Sequence, residues 1–300
     1  MSTTAEKQPL YTVVGGTGFL GRRVVAQLVR DGCRVRIVAR KPERDLETGA
    51  VESVAADIRD GAAVKRALDG SCAVVNAVSL YAERPGLTFD DIHVRSAHRL
   101  AEHAAAAGVR RFVQISGIGS VPRSADRYIC TRGRGEEAVQ DGFPDPVLVR
   151  PAPMYDAGEG FLAPILALLK SPVFPLFGRG STLLEPADAR DVAKAIATAM
   201  QCDAVDGRTY DLAGPETYTY RDLVQALADA MNRHPVLTPV PFPIWTGLAR
   251  LAERLPGQPL TRHQVALMRH DKVASDNGMQ ALSVTPRPLS GVLERMAAAG

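Results

Sequence analysis

The stretch Val13-Val14-Gly15-Gly16-Thr17-Gly18-Phe19-Leu20-Gly21 decides the fold that we predict for this chain. Its glycines fit the spacing Gly-x-Gly-x-x-Gly. One glycine permits a sharp turn, one lets the backbone approach a phosphate, and one lets a helix pack on a strand. The free N–H groups and the positive end of the helix dipole favour an anion. We therefore predict that a dinucleotide pyrophosphate binds at Gly15, Gly16, Thr17, Gly18, Phe19, Leu20 and Gly21.

The residues around this loop support the prediction. Residues 10–14 are apolar and indicate a buried strand, and apolar residues then recur at helical spacing from Phe19 to Val29. The helix is expected to end at Asp31-Gly32, and residues 34–39 to form a second strand. This is a strand–helix–strand unit of about thirty residues. The alternative is a glycine-rich turn that binds no ligand.

Strand and helix patterns alternate as far as Pro151, which predicts an α/β fold with a Rossmann-type, doubly wound parallel sheet. Beyond Pro151, prolines and glycines become frequent and the helical pieces are short. We predict that residues 1–155 form a dinucleotide-binding domain, joined by roughly residues 186–214. Residues 156–300 are predicted to form a smaller mixed α/β domain for a substrate or partner, over the carboxyl edge of the sheet.

Composition excludes several classes of protein. The net charge of +3 over 300 residues, with scattered arginines, does not favour nucleic-acid binding. The four cysteines are far apart in sequence, which argues against a metal site and indicates reduced thiols in the cytoplasm. The longest apolar run, residues 161–169, is far shorter than the roughly 20 residues of a membrane span.

The chain resembles the atypical, extended short-chain dehydrogenases/reductases, most of all the nucleotide-binding accessory subunit of respiratory complex I (the alpha subcomplex subunit 9 type) and its bacterial relatives. The resemblance spans nearly the whole chain. It rests on the glycine loop and on Ala56-Asp57-Ile58-Arg59-Asp60, Ala107 to Ser116, Arg132-Gly133-Arg134-Gly135-Glu136-Glu137 and Leu148-Val149-Arg150-Pro151.

The expected cofactor is NADP(H), with NAD(H) as the alternative. The second strand ends at Arg40-Lys41, where a site that prefers NAD usually carries Asp or Glu for the ribose 2′-hydroxyl. A basic pair suits a 2′-phosphate, although it is also compatible with two solvated surface charges. The resemblance further implies that Asp57 and Ile58 border the adenine and that Ala77 and Val78 border the adenosine ribose. It also places Ser116, Tyr128, Arg132 and Pro151 among the cofactor-contacting residues.

Three positions depart from the family's catalytic pattern. The family uses a Tyr-x-x-x-Lys pair on one helical face, and here the pair is Tyr128 and Arg132. Tyr128 is either catalytic or a helix-surface aromatic. The serine that polarises the substrate is replaced by Ile118, and Ser120 would substitute for it only in a re-shaped loop. His93 stands where relatives often carry asparagine, and we interpret it as a packed side chain rather than a base.

Residues 242–255 form the second notable segment. Ile244, Trp245, Leu248, Leu251, Ala252 and Leu255 are predicted to share one face of an amphipathic helix. Core packing explains this face. The alternative is contact with a protein partner or a membrane surface, which would make a cytoplasmic protein peripheral at the inner membrane.

Three functions remain open from the sequence. The first is a weakly catalytic or non-catalytic NADP(H)-binding protein with a respiratory-complex or quinone-related role. The second is an active NADPH-dependent oxidoreductase or epimerase on a small substrate. The third is a dinucleotide redox sensor. The sequence therefore does not decide whether the chain is an enzyme.

Overall fold

The computed structural model describes residues 8–41, 49–156, 159–202, 205, 207–255 and 260–299. Its strands are β1 (Leu10–Val14), β2 (Arg34–Ala39), β3 (Val51–Ala55), β4 (Ser71–Asn76), β5 (Arg111–Ile115), β6 (Val147–Pro151), β7 (Met154–Asp156), β8 (Glu159–Gly160), β9 (Val173–Phe177), β10 (Leu183–Leu184), β11 (Ala187–Asp188), β12 (Thr209–Leu212), β13 (Tyr218–Thr219) and β14 (Val236–Val240). Its helices are α1 (Gly21–Arg30), α2 (Gly61–Ala67), α3 (Ala97–Ala106), α4 (Arg127–Gly142), α5 (Leu162–Leu168), α6 (Ala189–Gln201), α7 (Tyr220–Ala230), α8 (Phe242–Ala252), α9 (Arg262–Leu267) and α10 (Ser290–Ala299).

The central sheet confirms the predicted α/β fold. Seven strands lie in the order β12-β6-β5-β4-β1-β2-β3, and every neighbouring pair is parallel. The strand order reverses between β1 and β4, since β2 and β3 lie on one side of β1 and the later strands lie on the other. This reversal is the point at which ligands bind in doubly wound sheets.

Two apolar layers cover the sheet, because alternate residues of each strand face opposite sides. Val13 of β1 packs in the layer formed with α1 and α6, whereas Val14 packs in the layer formed with α2, α3 and α4. Met279, Leu282 and Val284 also join the layer of α1 and α6. The chain therefore returns to the sheet near its C-terminus.

A separate apolar cluster holds the remaining elements together. It contains Leu162 and Ile165 of α5, Phe174 and Leu176 of β9, and Leu223 of α7. Small sheets accompany it, with β9 parallel to β14 and β10 antiparallel to β13. These elements form a smaller unit with an apolar core of its own, apart from the two layers that cover the large sheet.

Helix caps follow the sequence closely. Asp60 accepts a hydrogen bond from the Ala63 N–H, and Thr219 accepts one from the Asp222 N–H, as expected of N-cap side chains. The segment before α3 has a different hydrogen-bond pattern, because residues 90–96 are π-helical and α3 begins only at Ala97. The π-helical turn contains His93, beside the part of α4 that crosses it.

Candidate functional site

The glycine loop brings three strand ends together. Gly15, with φ of +87°, follows β1 and donates its N–H to the Val38 carbonyl of β2 at 2.8 Å. A Cβ at Gly15 would lie 3.0 Å from the Ala77 carbonyl carbon and 3.1 Å from Val78 Cγ2. The backbone after β1 therefore runs directly against the backbone after β4, where Ala77 and Val78 are expected to border the adenosine ribose.

The first turn of α1 is packed onto this loop. A Cβ at Gly21 would lie 2.1 Å from the Gly15 carbonyl oxygen, a distance that no substituted residue can adopt. Thr17 and Gly18 face solvent at least in part. Within the described part of the chain, the N–H groups of Phe19 and Leu20 have no backbone acceptor. A glycine-rich loop with unpaired backbone N–H donors at the start of a helix fits a pyrophosphate.

The adenosine end carries exposed cations. Arg40 and Lys41 follow β2 and are both exposed. Asp57, after β3, accepts hydrogen bonds from Arg59 through both carboxylate oxygens, with Nη2 to Oδ2 at 2.8 Å. These bonds hold the pKa of the Asp57 carboxyl below its usual range, and Arg40 also contributes. Arg59 was not among the predicted site residues, although its place two residues after Asp57 was visible in the sequence.

Arg132 reaches into the site from α4 and is engaged by protein groups. Its Nη1 donates to Ser79 Oγ at 3.1 Å, and its Nη2 donates to the Ile115 carbonyl at 3.2 Å. The guanidinium is buried, so these contacts replace water. Ser79 was missed from sequence because it lies in a loop 53 residues away from Arg132.

Tyr128 lies one helical turn before Arg132 and packs among aromatic rings. Its ring meets Phe89 edge-on with centroids 5.5 Å apart and stacks on Tyr81 at 6.1 Å. Burial raises the pKa of Tyr128 to about 12, although the nearby Arg132 acts in the opposite direction. A hydroxyl with such a pKa is poorly matched to proton transfer near neutral pH.

The loop after β5 presents few donors. Ser116 Oγ donates to Ser120 Oγ at 3.0 Å, and Ser120 Oγ donates to the Gly117 carbonyl at 2.8 Å. The Ile118 side chain is buried in the apolar core, and its N–H donates to the Pro151 carbonyl at 3.2 Å. Ser116 and Pro151 therefore lie at neighbouring strand ends as expected, while Ser120 is turned toward its own loop.

His93 is a packed residue and makes two defined hydrogen bonds. Its Nε2 accepts the Leu80 N–H at 3.1 Å, so its Nδ1 carries the proton and donates to Thr131 Oγ1 at 3.1 Å. Burial, and to a smaller extent the nearby cation of Arg132, lowers the pKa of His93 to about 3. The ring stays neutral near pH 7 and orients the loop that carries Ser79.

The burial of His93 predicts acid sensitivity. Above pH 6.5 this imidazole is neutral in both folded and unfolded chains. Below pH 6.5 only the unfolded chain binds the proton, so stability falls as the pH drops toward 3. At pH 5 the expected loss is about 2 kcal/mol. We expect His93→Asn to flatten the dependence of unfolding free energy on pH between 5 and 7, measured by urea titration. The partly exposed His98 provides the control, and an equal flattening by His98→Asn contradicts the assignment.

The run Arg132 to Glu137 has a structural explanation. A Cβ at Gly135 would lie 2.2 Å from the His93 carbonyl oxygen, so glycine lets α4 cross the π-helical turn closely. Arg134 pairs with Asp90 of that turn at 3.0 Å. Glu136 accepts two hydrogen bonds from Arg150, with Nε to Oε1 at 2.9 Å. The two sequence marks of the family resemblance, on α4 and on β6, are therefore joined by one ion pair.

Helix α8 is rotated relative to the prediction. Trp245 turns inward, with its Nε1 donating to the Leu176 carbonyl at 2.9 Å and its ring 4.5 Å from Phe177. The side of the predicted apolar face that lies away from Trp245 is exposed instead. We call this surface the α8 patch; its members are Ile244, Leu248, Leu251 and Leu255.

The residues that the structure describes lack two kinds of feature. None of the helices in these ranges combines the length and the apolar character that a membrane span requires. No group of three or more His, Cys, Asp or Glu side chains in the same ranges is placed to hold a metal ion.

Comparison with known proteins establishes the family. A family model described as NAD(P)H-binding matches residues 15–160, which include the glycine loop and β2 to β6. The mitochondrial NADH dehydrogenase [ubiquinone] 1 alpha subcomplex subunit 9 of Arabidopsis thaliana is 31% identical, over 93% of this chain and 75% of the relative. The chain belongs to the NAD(P)-binding, atypical short-chain dehydrogenase/reductase family.

Other proteins resemble it in sequence or in fold. The (4-alkanoyl-5-oxo-2,5-dihydrofuran-3-yl)methyl phosphate reductase of Streptomyces griseus is 34% identical over 74% of this chain and 73% of the relative. The structure of triphenylmethane reductase from Citrobacter sp., complexed with NADP(H), superposes with a TM-score of 0.78. It covers 95% of this chain and 99% of that chain at 19% identity, a likeness that shows the fold.

Proposed function

We propose that this chain holds NADP(H) in preference to NAD(H) and turns it over weakly or not at all. The observation that carries the proposal is the position of Arg132, whose guanidinium takes the place of the family's lysine and is bonded to Ser79 and Ile115. Arginine remains a cation, but its planar fork does not reproduce the contacts of a lysine amine.

The surroundings of Arg132 support the same proposal. Tyr128 has a pKa of about 12, set mainly by burial, so it is not activated for proton transfer. Ile118 offers no donor for a substrate oxygen, and the Ser120 hydroxyl is bonded within its own loop. The residues proposed to hold the dinucleotide are residues 15–21 and residues at or just after the ends of β2 to β6. When bound, NADPH supplies a two-electron donor, whereas the chain supplies the binding and orientation.

A turnover assay tests the weak-catalysis part. With quinones or simple carbonyls, the wild-type protein is expected to leave NADPH absorbance unchanged on the timescale of an ordinary reductase assay. Arg132→Lys asks whether arginine suppresses catalysis, and Tyr128→Phe asks whether any turnover depends on the tyrosine. Tyr81→Phe is the matched control, because Tyr81 stacks on Tyr128 but is exposed. The wild-type protein could instead oxidise NADPH. If Tyr128→Phe then abolishes this turnover and Tyr81→Phe preserves it, the result favours an active oxidoreductase.

Nucleotide choice is proposed to depend on the cations after β2. A charge-assisted contact with the 2′-phosphate contributes about 1.5–3 kcal/mol, or roughly tenfold or more in affinity. We expect Arg40→Glu with Lys41→Glu to weaken NADPH binding by that factor or more and to leave NADH binding within about twofold, measured by calorimetry. Arg66→Glu, at an exposed position on α2, is the control. Tighter binding of NADH than of NADPH by the wild-type protein refutes the selectivity proposal.

We also propose that the α8 patch rests on an anionic membrane surface, in a respiratory or quinone-related setting. The Arabidopsis relative is named as a subunit of a mitochondrial NADH dehydrogenase [ubiquinone], which supports the setting. Leu251 is 61% exposed; the exposed Arg250 lies on α8, and the exposed Arg254 follows the end of that helix. An apolar surface beside cations suits anionic lipid headgroups.

Vesicle binding tests this contact. The protein is expected to sediment with phosphatidylglycerol-containing vesicles and less with neutral ones. Changing Leu248 and Leu251 together to serine removes about 3 kcal/mol or more of apolar contact and is expected to abolish sedimentation. Val121→Ser, at an exposed site outside the α8 patch, is the control. No sedimentation by the wild-type protein, or retention by the double variant, contradicts a lipid contact and favours a protein partner.

A second candidate function is an active NADPH-dependent reductase on a small substrate. It is favoured by the 34% identity to the reductase of Streptomyces griseus and by the retention of Tyr128 one helical turn from a cation. The turnover assay separates the two candidates.

A further inference from the structure

One lysine is buried beside the candidate site without a hydrogen-bond partner. Lys272 is 7% exposed, and its Nζ is shielded from solvent and bonded to nothing among the described residues. An ammonium has three donors and no acceptor, so burying it unpaired is costly. Such a group in a folded protein indicates that a ligand supplies the missing hydrogen-bond acceptor.

The backbone holds Lys272 firmly in place. Its N–H donates to the Leu183 carbonyl at 2.8 Å, and its carbonyl accepts the Glu185 N–H at 3.2 Å. The position is therefore set by β10 and the residue that follows it, in the smaller unit, and not by a mobile end of the chain.

The neighbouring carboxylates are engaged elsewhere. Asp271 Oδ1 accepts the Leu183 N–H at 2.8 Å. The Glu185 carboxylate accepts the Thr217 hydroxyl at 2.9 Å and the Ala274 N–H at 2.9 Å. Burial lowers the pKa of Lys272, and Asp271 only partly opposes this effect. The amine is left without an anion of its own.

The Nζ of Lys272 points to the loop after β5. A Cβ at Gly119 would lie 2.9 Å from this nitrogen, so the amine fills the space into which a side chain at residue 119 would project. Gly119 itself is exposed. The preceding residue is Ile118, which stands where relatives carry the serine that polarises a substrate. A donor missing from the loop is thus present next to it, supplied by the other unit of the fold.

We propose that Lys272 is a binding residue for a small anionic ligand, contacting a carboxylate or phosphate oxygen placed against the loop 117–120. An opposite charge within hydrogen-bonding distance stabilises the ammonium that burial disfavours. A shift of the exposed Gly119 backbone is enough to admit the oxygen, because no side chain lies there. The proposal depends neither on the choice between NADPH and NADH nor on turnover.

The test uses the whole protein saturated with NADPH and three probes. Inorganic phosphate and hexanoate are titrated as the two anionic chemistries, and hexanamide is the uncharged match for hexanoate. Binding is followed by calorimetry. Lys272→Met removes the amine but keeps a similar stem, and Lys272→Arg keeps the charge. Lys194→Met is the matched control, because Lys194 is an exposed lysine on α6.

We expect saturable binding of at least one anion by the wild-type and Lys194→Met proteins, and none of hexanamide. Binding is expected to be about tenfold or more weaker in Lys272→Met and to be retained in part by Lys272→Arg. Saturation by phosphate alone or by hexanoate alone identifies the ligand chemistry. Absence of binding by both anions, or equal binding by Lys272→Met, overturns the proposal.

Stability separates a binding role from a purely structural one. Replacing an unpaired buried amine with an apolar side chain is expected to leave the melting temperature unchanged or raise it. A structural role instead predicts a lower melting temperature. If Lys272→Met does not fold, NMR of the wild-type protein provides the test. The lysine ¹³Cε resonance that is missing from the Lys272→Arg spectrum belongs to Lys272. It must move when the anion is added, and a resonance that does not move also overturns the proposal.

Discussion

Replacing Gly21 with alanine is expected to weaken dinucleotide binding strongly. The added Cβ would lie 2.1 Å from the Gly15 carbonyl oxygen, so α1 must move away from the loop that it supports. Overpacking of this kind typically costs about 1–3 kcal/mol or more. It also displaces the N–H groups of Phe19 and Leu20 that face the predicted phosphates. We expect NADPH affinity to fall on the order of 100-fold, measured by calorimetry.

The control for this prediction is Gly49→Ala. A Cβ at Gly49 meets nothing within 4 Å, so the same change in composition is made without a collision. Circular dichroism checks that both variants keep the sheet. NADPH binding by folded Gly21→Ala protein at wild-type strength would remove residues 15–21 from the proposed site.

Replacing Arg150 with methionine is expected to destabilise the protein strongly. Glu136 is buried, with only 6% of its side chain exposed, and Arg150 donates to both of its carboxylate oxygens. The removal of one partner leaves an unpaired buried charge, which typically costs about 3–5 kcal/mol. We expect the melting temperature to fall by about 6–10 °C.

Two companion variants identify the cause. Arg127→Met removes a surface arginine that pairs with Glu83 at 3.2 Å, and it is expected to cost less than about 1 kcal/mol. Adding Glu136→Gln to Arg150→Met removes the stranded charge and is expected to recover part of the loss. An Arg150→Met protein as stable as Arg127→Met would show that this ion pair does not tie α4 to β6.

The fold was predictable because its signals are local. The apolar run of β1, the glycine loop and the helical spacing from Phe19 to Val29 each depend on neighbours within a few positions. The same local reasoning predicted an apolar face on α8 but not which way it turns. Trp245 binds the Leu176 carbonyl, and this long-range contact rotates Leu248 and Leu251 outward.

The candidate site was predictable only in part, for a related reason. Positions on strand ends, such as Ser116 and Pro151, follow from the parallel topology. The hydrogen bond from Arg132 to Ser79 and the approach of Lys272 to Gly119 each join segments more than fifty residues apart, and no spacing rule connects them. The position of His93 was predictable, but its orientation was not. Its place on a helix could be predicted, whereas the π-helical turn that aims it at Leu80 depends on the crossing of α4.

The central claim is that the glycine loop holds NADP(H) and that the residues around Arg132 do not consume it. The most direct test is native mass spectrometry, with an absorbance spectrum, on protein purified without added cofactor. We expect about one NADP(H) per chain, still bound after incubation with quinones or simple carbonyls. Protein that retains no dinucleotide, or that retains NAD(H), or that oxidises its bound NADPH within minutes, would contradict this claim.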